Sequence, residues 1–268
     1  MDWMGKHVVI TGGSSGIGEA LAFDLAGRGA NLTLLARGAE RLAAARDAVA
    51  AGAPQVEVAG LPCDVSDQAA VRATFATAVA DRGPVDALVC SAGITLPGRF
   101  LEAEDEVFRD MIDVDYYGTL WPVREVAPSM AERRTGSIVG VSSACALVGV
   151  YGYSAYGAAK FAVRGLLESV RTELVPVGVH VGIVYPPDVD TPMLAEENKH
   201  KPAETKAISG SIKPISAAQV ATAIVTGIEK QQPEIYADAQ TRALARTVAT
   251  APGIYRRLFD RKVRQTQR

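Results

Sequence analysis

Tyr156 and Lys160 are the residue pair in this chain that is best suited to move a proton. They are four residues apart in a stretch with a helical pattern, so the lysine ammonium is expected one turn from the phenol on the same helix face. A free tyrosine has a pKa of about 10, and a neighbouring positive charge lowers that pKa toward neutral pH. The pair therefore predicts a group that protonates the alkoxide formed when a carbonyl is reduced. Tyr151 and Tyr153 are less suited, because alanine and glycine follow them at the same interval.

Ser143 supplies a hydroxyl close to this pair in the sequence, at the end of a predicted strand. The carboxyl ends of strands in a doubly wound sheet face the ligand crevice, where a hydroxyl can donate a hydrogen bond to a substrate carbonyl. The alternative is that Ser143 caps a turn or a helix, as serines often do. Ser142, directly before it, is a second candidate of the same type.

A glycine-rich stretch, TGGSSGIG at residues 11–18, joins an apolar strand to the start of a helix. Gly12 allows a tight turn, and Gly16 and Gly18 lack the Cβ atoms that would keep a pyrophosphate and a neighbouring strand at a distance. The helix N-terminus offers free N–H groups to an anion. The stretch predicts a dinucleotide site that includes Gly12, Ser14, Ser15, Gly16, Ile17 and Gly18.

Strand-like and helix-like segments alternate along the chain. Apolar strands without polar alternation are typical of a parallel sheet that is covered on both faces. We therefore predict an α/β fold: a single doubly wound Rossmann-type domain with a mainly parallel seven-stranded sheet and helices on both faces. The predicted strands are 7–11, 31–36, 56–61, 87–90, 137–142, 179–185 and 234–237. The predicted helices are 16–28, 39–51, 68–82, 105–133, 155–175 and 217–230.

Composition restricts the class of protein further. The 268 residues are 48% hydrophobic and 22% charged, as expected of one compact domain with a large core, and the net charge of −2 gives no basic field for nucleic acid. The three cysteines form no CxxC pair, which indicates a reducing compartment. The three histidines are scattered along the chain, so we predict no metal site. No apolar run reaches the roughly 18 residues that span a bilayer. Residues 1–6, before the first predicted strand, leave no room for the apolar core of a signal peptide, so we expect none. We expect a cytoplasmic protein.

These motifs together resemble the short-chain dehydrogenase/reductase family over nearly the whole chain. The resemblance implies that Tyr156 is the acid/base, that Lys160 lowers its pKa and binds the nicotinamide ribose, and that Ser143 orients the carbonyl. The family places a water-holding asparagine in its long helix, and alignment on Gly118 puts Asp115 there. Asp115 either raises the pKa of Tyr156 through its charge or accepts local hydrogen bonds without further effect.

The same resemblance implies further cofactor contacts. After the fourth strand the family usually has Asn-Asn-Ala-Gly, and this chain has Cys90-Ser91-Ala92-Gly93. Backbone contacts to the ribose would survive that change. The implied cofactor-binding residues outside the glycine-rich loop are Asp64, Val65, Ser91, Ala92, Gly93, Val114, Tyr156, Lys160, Pro186, Val189 and Thr191.

The end of the second strand indicates the choice of cofactor. An acidic residue there would bind a ribose 2′-hydroxyl, but the chain has Ala36 followed by Arg37. A guanidinium suits a 2′-phosphate, and Ser14 and Ser15 add hydroxyl groups. We therefore predict NADP(H), with the alternative that Arg37 is only a solvated surface arginine.

Residues 186–215 read as one long irregular segment, and loops of that length are often lids. We predict that it is mobile without ligand, that its polar residues form an outer face, and that Met193, Leu194 and Ile208 point at the substrate. Its sequence resembles that of 3-ketodihydrosphingosine reductases, a branch that reduces the ketone of a long-chain sphingoid base with NADPH.

Residues 241–268 form a basic tail after a catalytic domain that we assign to residues 1–240. Basic and apolar residues alternate in it, which fits either an amphipathic segment on an anionic membrane surface or a docking helix with a solvated face. The first interpretation predicts a membrane-peripheral location.

The favoured function is an NADPH-dependent oxidoreductase that reduces a ketone, such as a long-chain 3-keto lipid, to a secondary alcohol. The alternatives are a broad-specificity alcohol or steroid dehydrogenase and a non-catalytic NADP(H)-binding regulator. We expect a small hydrophobic ketone or alcohol as ligand, a homodimer or homotetramer, and neither nucleic acid nor metal.

Overall fold

Seven parallel strands form the central sheet in a computed structural model that describes residues 2–209 and 213–266. Their spatial order is β3-β2-β1-β4-β5-β6-β9, and a separate two-stranded sheet pairs β7 with β8. The strand order reverses between β1 and β4, which places a ligand crevice above the carboxyl ends of these two strands. The strands are β1 His7–Thr11, β2 Asn31–Ala36, β3 Val58–Pro62, β4 Ala87–Cys90, β5 Ser137–Val141, β6 His180–Val184, β7 Val189–Asp190, β8 Ile215–Ser216 and β9 Glu234–Ile235.

Helices cover both faces of the sheet. Leu21 of α1 and Ile224 of α9 pack with Ile10 in the core on one face, and Phe75 of α3 and Leu167 of α6 belong to the core on the other. This arrangement confirms the predicted α/β fold class. The α-helices are α1 Gly16–Gly27, α2 Ala39–Gly52, α3 Gln68–Arg82, α4 Asp105–Met111, α5 Gly118–Arg133, α6 Ser154–Leu174, α7 Pro192–His200, α8 Ala203–Ser209, α9 Ala217–Glu229, α10 Ala239–Thr250 and α11 Pro252–Thr266.

The predicted helix 105–133 is not a regular α-helix throughout. A π-helical stretch, Ile112–Tyr117, separates α4 from α5 and carries Asp115. A π-turn holds one more residue than an α-turn, and such turns are frequent at functional sites. The hydroxyl of Thr119 donates to the backbone carbonyl of Asp115 across this stretch at 2.8 Å.

The prediction of one irregular segment over residues 186–215 is wrong for most of its length. It contains β7, α7 and α8. The sequence favours the start of α7, because Thr191 caps it through the backbone N–H of Leu194 and Pro192 occupies its first turn. The predicted outer polar face is also wrong in part, since the side chains of Lys201 and Glu204 are buried. Residues 210–212 and the side chain of Ile208 lie outside the described part of the chain.

The basic tail folds into two helices, and the first of them begins at Ala239, just before the predicted boundary at residue 240. Leu244, Val248 and Tyr255 pack against the core on the α6 side of the sheet. The tail therefore docks on the body of the protein through part of its apolar face. No helix among residues 2–209 and 213–266 is long and apolar enough to cross a bilayer.

Candidate active site

Two adjoining cavities lie above the carboxyl ends of the strands and form one cleft. We call them the loop cavity, which is lined by the glycine-rich loop, and the tyrosine cavity, which is lined by Tyr156. Both are lined by Ile17, Ser91, Gly93 and Thr191, so they are continuous. The cleft therefore has room for an extended ligand that reaches from the glycine-rich loop to the tyrosine.

The glycine-rich loop leaves the space that a pyrophosphate needs. Gly12 has φ +70°, and a Cβ there would lie 2.7 Å from the backbone N of Ala92. A Cβ on Gly18 would lie 2.3 Å from the carbonyl oxygen of Gly12. Ser15 is the N-cap of α1 but makes no capping hydrogen bond through its side chain. The first N–H groups of α1 therefore fit an anionic group of a dinucleotide in the loop cavity.

The structure brings most of the predicted cofactor residues to this cleft. Gly18 does not line it but supports the loop from behind. Asp64 does not line it either, and its Oδ1 accepts hydrogen bonds from the N–H and hydroxyl of Ser66. The predicted residues that do line the cleft are Gly12, Ser14, Ser15, Gly16, Ile17, Arg37, Val65, Ser91, Ala92, Gly93, Val114, Tyr156, Lys160, Pro186, Val189 and Thr191.

The carboxyl group of Asp64 has a lowered pKa. Burial alone would raise that pKa, but the hydrogen bonds from Ser66 and the positive charge of Arg37 outweigh it. Asp64 therefore stays ionised beside Arg37 at the end of β3.

Ser143 and Tyr156 line the tyrosine cavity together. The Oγ of Ser143 accepts a hydrogen bond from the N–H of Cys145 at 3.1 Å, so Ser143 caps the turn that follows β5 and also faces the cavity. Ser142 also lines this cavity, but its hydroxyl donates to the backbone carbonyl of Lys160 at 3.0 Å. The geometry favours Ser143 over Ser142 as the group that contacts a substrate carbonyl.

Lys160 is buried below Tyr156 on α6. Its Nζ lies 5.6 Å from the centre of the Tyr156 ring, donates to the carbonyl of Val141 at 3.2 Å and lies 3.6 Å from Oδ1 of Asp115. The pKa of Tyr156 is nevertheless raised well above its usual value, by burial and then by the charge of Asp115, while a hydrogen bond with Ser143 acts in the opposite direction. The expected lowering of this pKa is therefore not found, because burial and the nearby negative charges favour the protonated phenol.

Asp115 is completely buried behind Gly93 and does not line the cleft. Its Oδ1 accepts a hydrogen bond from the N–H of Ile94 at 3.0 Å, and Oδ2 has no hydrogen-bond partner among the described residues. Burial raises the pKa of Asp115, and the charge of Lys160 opposes that shift. The direction of the Tyr156 pKa favours the interpretation in which the charge of Asp115 acts on the phenol, although Oδ1 of Asp115 also accepts a local hydrogen bond.

Sequence reasoning missed several residues of the cleft. Arg41 lines the loop cavity with Arg37, and its position four residues later on a predicted helix could have suggested it. Leu244, Tyr255 and Phe259 of the tail line the tyrosine cavity. No local sequence signal marks them, because their position depends on how the last two helices fold back. The described residues contain no cluster of three potential metal ligands.

The sequence pattern of the short chain dehydrogenase family matches residues 6–202. The chain belongs to this family. A 3-ketodihydrosphingosine reductase of Dictyostelium discoideum is 38% identical to it over 96% of this chain and 81% of the relative. A 3-dehydrosphinganine reductase of Danio rerio is 44% identical over 82% of this chain and 68% of the relative.

Solved structures give the same family. A short chain dehydrogenase/reductase from Burkholderia phymatum in complex with NAD superposes with a TM-score of 0.84, at 26% identity over 95% of this chain and 96% of the other. A short-chain dehydrogenase from Sphingobium yanoikuyae in complex with NADPH gives a TM-score of 0.80, at 25% identity over 92% of this chain and 93% of the other. The protein is an oxidoreductase of this family that uses a nicotinamide cofactor.

Substitution of Tyr156 by phenylalanine should abolish the proton donor without changing the cavity. General acid catalysis contributes about a hundredfold or more, so we expect at least that loss in kcat with cofactor affinity retained. Steady-state kinetics and cofactor titration would measure both. Tyr151→Phe is the matched control, because Tyr151 does not line the cleft and its hydroxyl bonds to Glu204. Wild-type kcat in Tyr156→Phe would refute the assignment.

Asp115→Asn should move the pH dependence of ketone reduction. The charge of Asp115 raises the pKa of Tyr156, so its removal lowers that pKa, and the phenol then loses its proton at lower pH. The basic limb of the pH–rate profile should shift down by roughly one pH unit, the lower end of the shift that a nearby charge produces. Superimposable profiles for wild type and variant would show that the charge has no effect on the reacting phenol.

Proposed function

We propose that this protein reduces the ketone of 3-ketodihydrosphingosine, a long-chain 3-keto lipid, with NADPH. The main support is the tyrosine cavity, in which Tyr156 and Ser143 meet mostly apolar walls. The names of the two relatives reported above point to the same substrate. The apolar residues of the cavity include Ile94, Val148, Val150, Met193, Leu194, Leu244, Tyr255 and Phe259.

The polar groups fit the direction of reduction. When bound, the nicotinamide cofactor supplies the hydride. The oxygen of Ser143 accepts the N–H of Cys145, and its hydroxyl bonds with the phenol of Tyr156 in the free site. A ketone oxygen placed between the two hydroxyls would accept hydrogen bonds from both. The raised pKa of Tyr156 keeps the phenol protonated at neutral pH, ready to give its proton to the developing alkoxide. The ammonium of Lys160, 5.6 Å from the centre of the Tyr156 ring, would stabilise the phenolate that remains.

A panel of ketones tests this function. NADPH oxidation should be fastest, in kcat/KM, with 3-ketodihydrosphingosine, because a long alkyl chain removes apolar area from water along the whole cavity. A short methyl ketone and a steroid ketone are the comparisons. Equal turnover of all three would favour the broad-specificity alcohol or steroid dehydrogenase. Tight NADPH binding without turnover of any ketone would favour the non-catalytic regulator.

The preference for NADPH over NADH is also proposed, on the strength of the arginines at the loop cavity. Arg37 and Arg41 are exposed at its edge, and Ser14 and Ser15 line the same cavity. A guanidinium can hold a 2′-phosphate by paired hydrogen bonds. No carboxylate follows β2 to bind a free ribose hydroxyl.

Arg37→Asp should weaken NADPH binding and improve NADH binding relative to wild type. A hydrogen bond to a charged group contributes about 1.5–3 kcal/mol, so we expect a loss of about tenfold to a hundredfold in NADPH affinity. Arg72→Asp, on the exposed side of α3 away from the cleft, is the matched control. Titration of both cofactors is the measurement, and unchanged NADPH affinity in Arg37→Asp would contradict the assignment.

Peripheral contact with an anionic membrane is a further part of the proposal. α11 forms part of the wall of the tyrosine cavity, to which it contributes Tyr255 and Phe259. Its outer side carries Leu258, which is 62% exposed, and several exposed basic residues. A bilayer there would offer a lipid substrate close to the cavity. These basic residues are Arg256, Arg257, Arg261, Lys262 and Arg264.

Sedimentation with vesicles tests this contact. We expect binding to phosphatidylserine-containing vesicles, weaker binding at high salt, and none to pure phosphatidylcholine vesicles, because each basic residue near an anionic surface contributes about 1 kcal/mol. The double variant Arg256→Glu with Arg257→Glu should bind much less, whereas Arg109→Glu on α4 should not change binding. Wild-type protein that stays in the supernatant would exclude the contact.

The homodimer or homotetramer stays a prediction, which light scattering would test.

A further inference from the structure

A cluster of charged and polar side chains interrupts the apolar wall of the tyrosine cavity. It consists of Asp188, Glu197, Lys201 and Tyr153, and we call it the acid–lysine cluster. Nζ of Lys201 lies 2.8 Å from Oε1 of Glu197 and 3.2 Å from Oδ2 of Asp188. The hydroxyl of Tyr153 donates to the same oxygen of Glu197. The cluster joins α7 and the start of α6 to the segment after β6.

The two carboxylates of this cluster face only one ammonium. Lys201 is almost fully buried; burial would lower its pKa, but Glu197 and Asp188 outweigh that effect and raise it, so the lysine stays charged. The phenol of Tyr153 and the thiol of Cys145 both have raised pKa values and are neutral. Among the described residues of the cluster, one negative charge therefore remains without a positive partner.

Other ion pairs near the cavity are already balanced. Lys160 pairs with Asp115 behind Gly93, and Arg99 pairs with Glu204 on the outer side of α8. The side chain of Asp188 is 30% exposed, so solvent compensates its charge in the free protein. A charge that loses this solvent when the cavity fills is unfavourable unless the ligand compensates it. A cationic group of the ligand would supply that compensation inside the cavity.

The acid–lysine cluster is also close to the reacting phenol. Asp188 and Glu197 line the same cavity as Tyr156, and the rings of Tyr153 and Tyr156 are 5.9 Å apart between centres. The charge of Glu197 is near enough to contribute to the raised pKa of Tyr156. A cation held at these carboxylates would therefore lie beside the ketone that Tyr156 protonates.

We propose that Asp188 and Glu197 bind a protonated primary amine on the carbon next to the reacting ketone, and so select a long-chain amino ketone over a neutral or N-acylated one. Lys201 and Tyr153 hold the carboxylate oxygens in place, and the remaining oxygens accept hydrogen bonds from the ammonium. This inference rests on the proposed ketone reduction and adds the recognition of the amino group to it.

The first test compares substrates on the wild-type enzyme at pH 7. 3-Ketodihydrosphingosine is compared with 1-hydroxyoctadecan-3-one, which has the same chain length but no amine, and with the N-acetylated amino ketone. We expect kcat/KM to be at least tenfold higher for the free amino ketone, mainly through a lower KM, since its ammonium alone pairs with the carboxylates. Equal kcat/KM for the three ketones would overturn the inference and leave ketone reduction itself standing.

The second test uses Asp188→Asn. It should reduce kcat/KM for the amino ketone about tenfold, through a higher KM, and leave kcat/KM for the ketone without an amine unchanged. If Asp188 had a purely structural role, the substitution would lower kcat/KM for both ketones equally. Asp190→Asn is the matched control, because it makes the same chemical change at an exposed site two residues away. Asp188→Glu should recover part of the preference for the amine. Glu197→Gln is an independent second variant with the same expected selectivity.

A binding experiment separates this inference from the proposed function. Displacement of a fluorescent ligand in the presence of NADP⁺ would compare sphinganine, a long-chain amine, with N-acetylsphinganine. Preference for the free amine would support the site even if no ketone were reduced, in which case only the proposed reaction would fail. Equal binding of the two lipids would overturn the site.

Discussion

The buried ion pair between Lys160 and Asp115 is the contact on which the geometry of the site depends. It links α6, the π-helical stretch and the loop after β4, and it fits only because residue 93 is glycine, since a Cβ there would lie 2.7 Å from Oδ1 of Asp115. The ammonium is further fixed by the carbonyl of Val141 at the end of β5. Removal of one partner from a buried pair costs about 3–5 kcal/mol, so the pair constrains the whole arrangement around Tyr156.

That constraint has a chemical effect, because negative charges surround the reacting phenol. Asp115 acts from behind the cleft and Glu197 from across the cavity, and both favour the protonated phenol, as does burial. A phenol that holds its proton at neutral pH is suited to donate it. A positively charged ligand or cofactor ring near Tyr156 would oppose these charges and make the proton easier to release. The pKa of Tyr156 would therefore depend on whether such a group is bound in the cleft.

The sequence predicted the parts of the molecule that depend on local patterns. The apolar strands, the glycine-rich loop and the four-residue interval from Tyr156 to Lys160 each have a local cause, and the structure brings them to one edge of the sheet. The π-helical stretch was not predicted, because one additional residue in a turn does not change the apolar pattern of the helix. The burial of Lys201 was not predicted either, since lysine is rarely buried. Glu197, four residues earlier, has the spacing of an ordinary surface ion pair, and the contact with Asp188 depends on how α7 folds back on the chain after β6.

The tail that forms part of the wall of the tyrosine cavity lies outside the part of the chain that the family pattern matches, residues 6–202. The residues that we assign to proton transfer and cofactor binding lie in the matched part, whereas Leu244, Tyr255 and Phe259 line the cavity from α10 and α11. Substitutions in these two helices can therefore alter the length and width of the accepted chain without disturbing the chemistry. Two enzymes with the same reacting groups would then differ in substrate specificity through their last thirty residues alone. Grafting that stretch from one enzyme onto the other would transfer the range of chain lengths that the donor accepts.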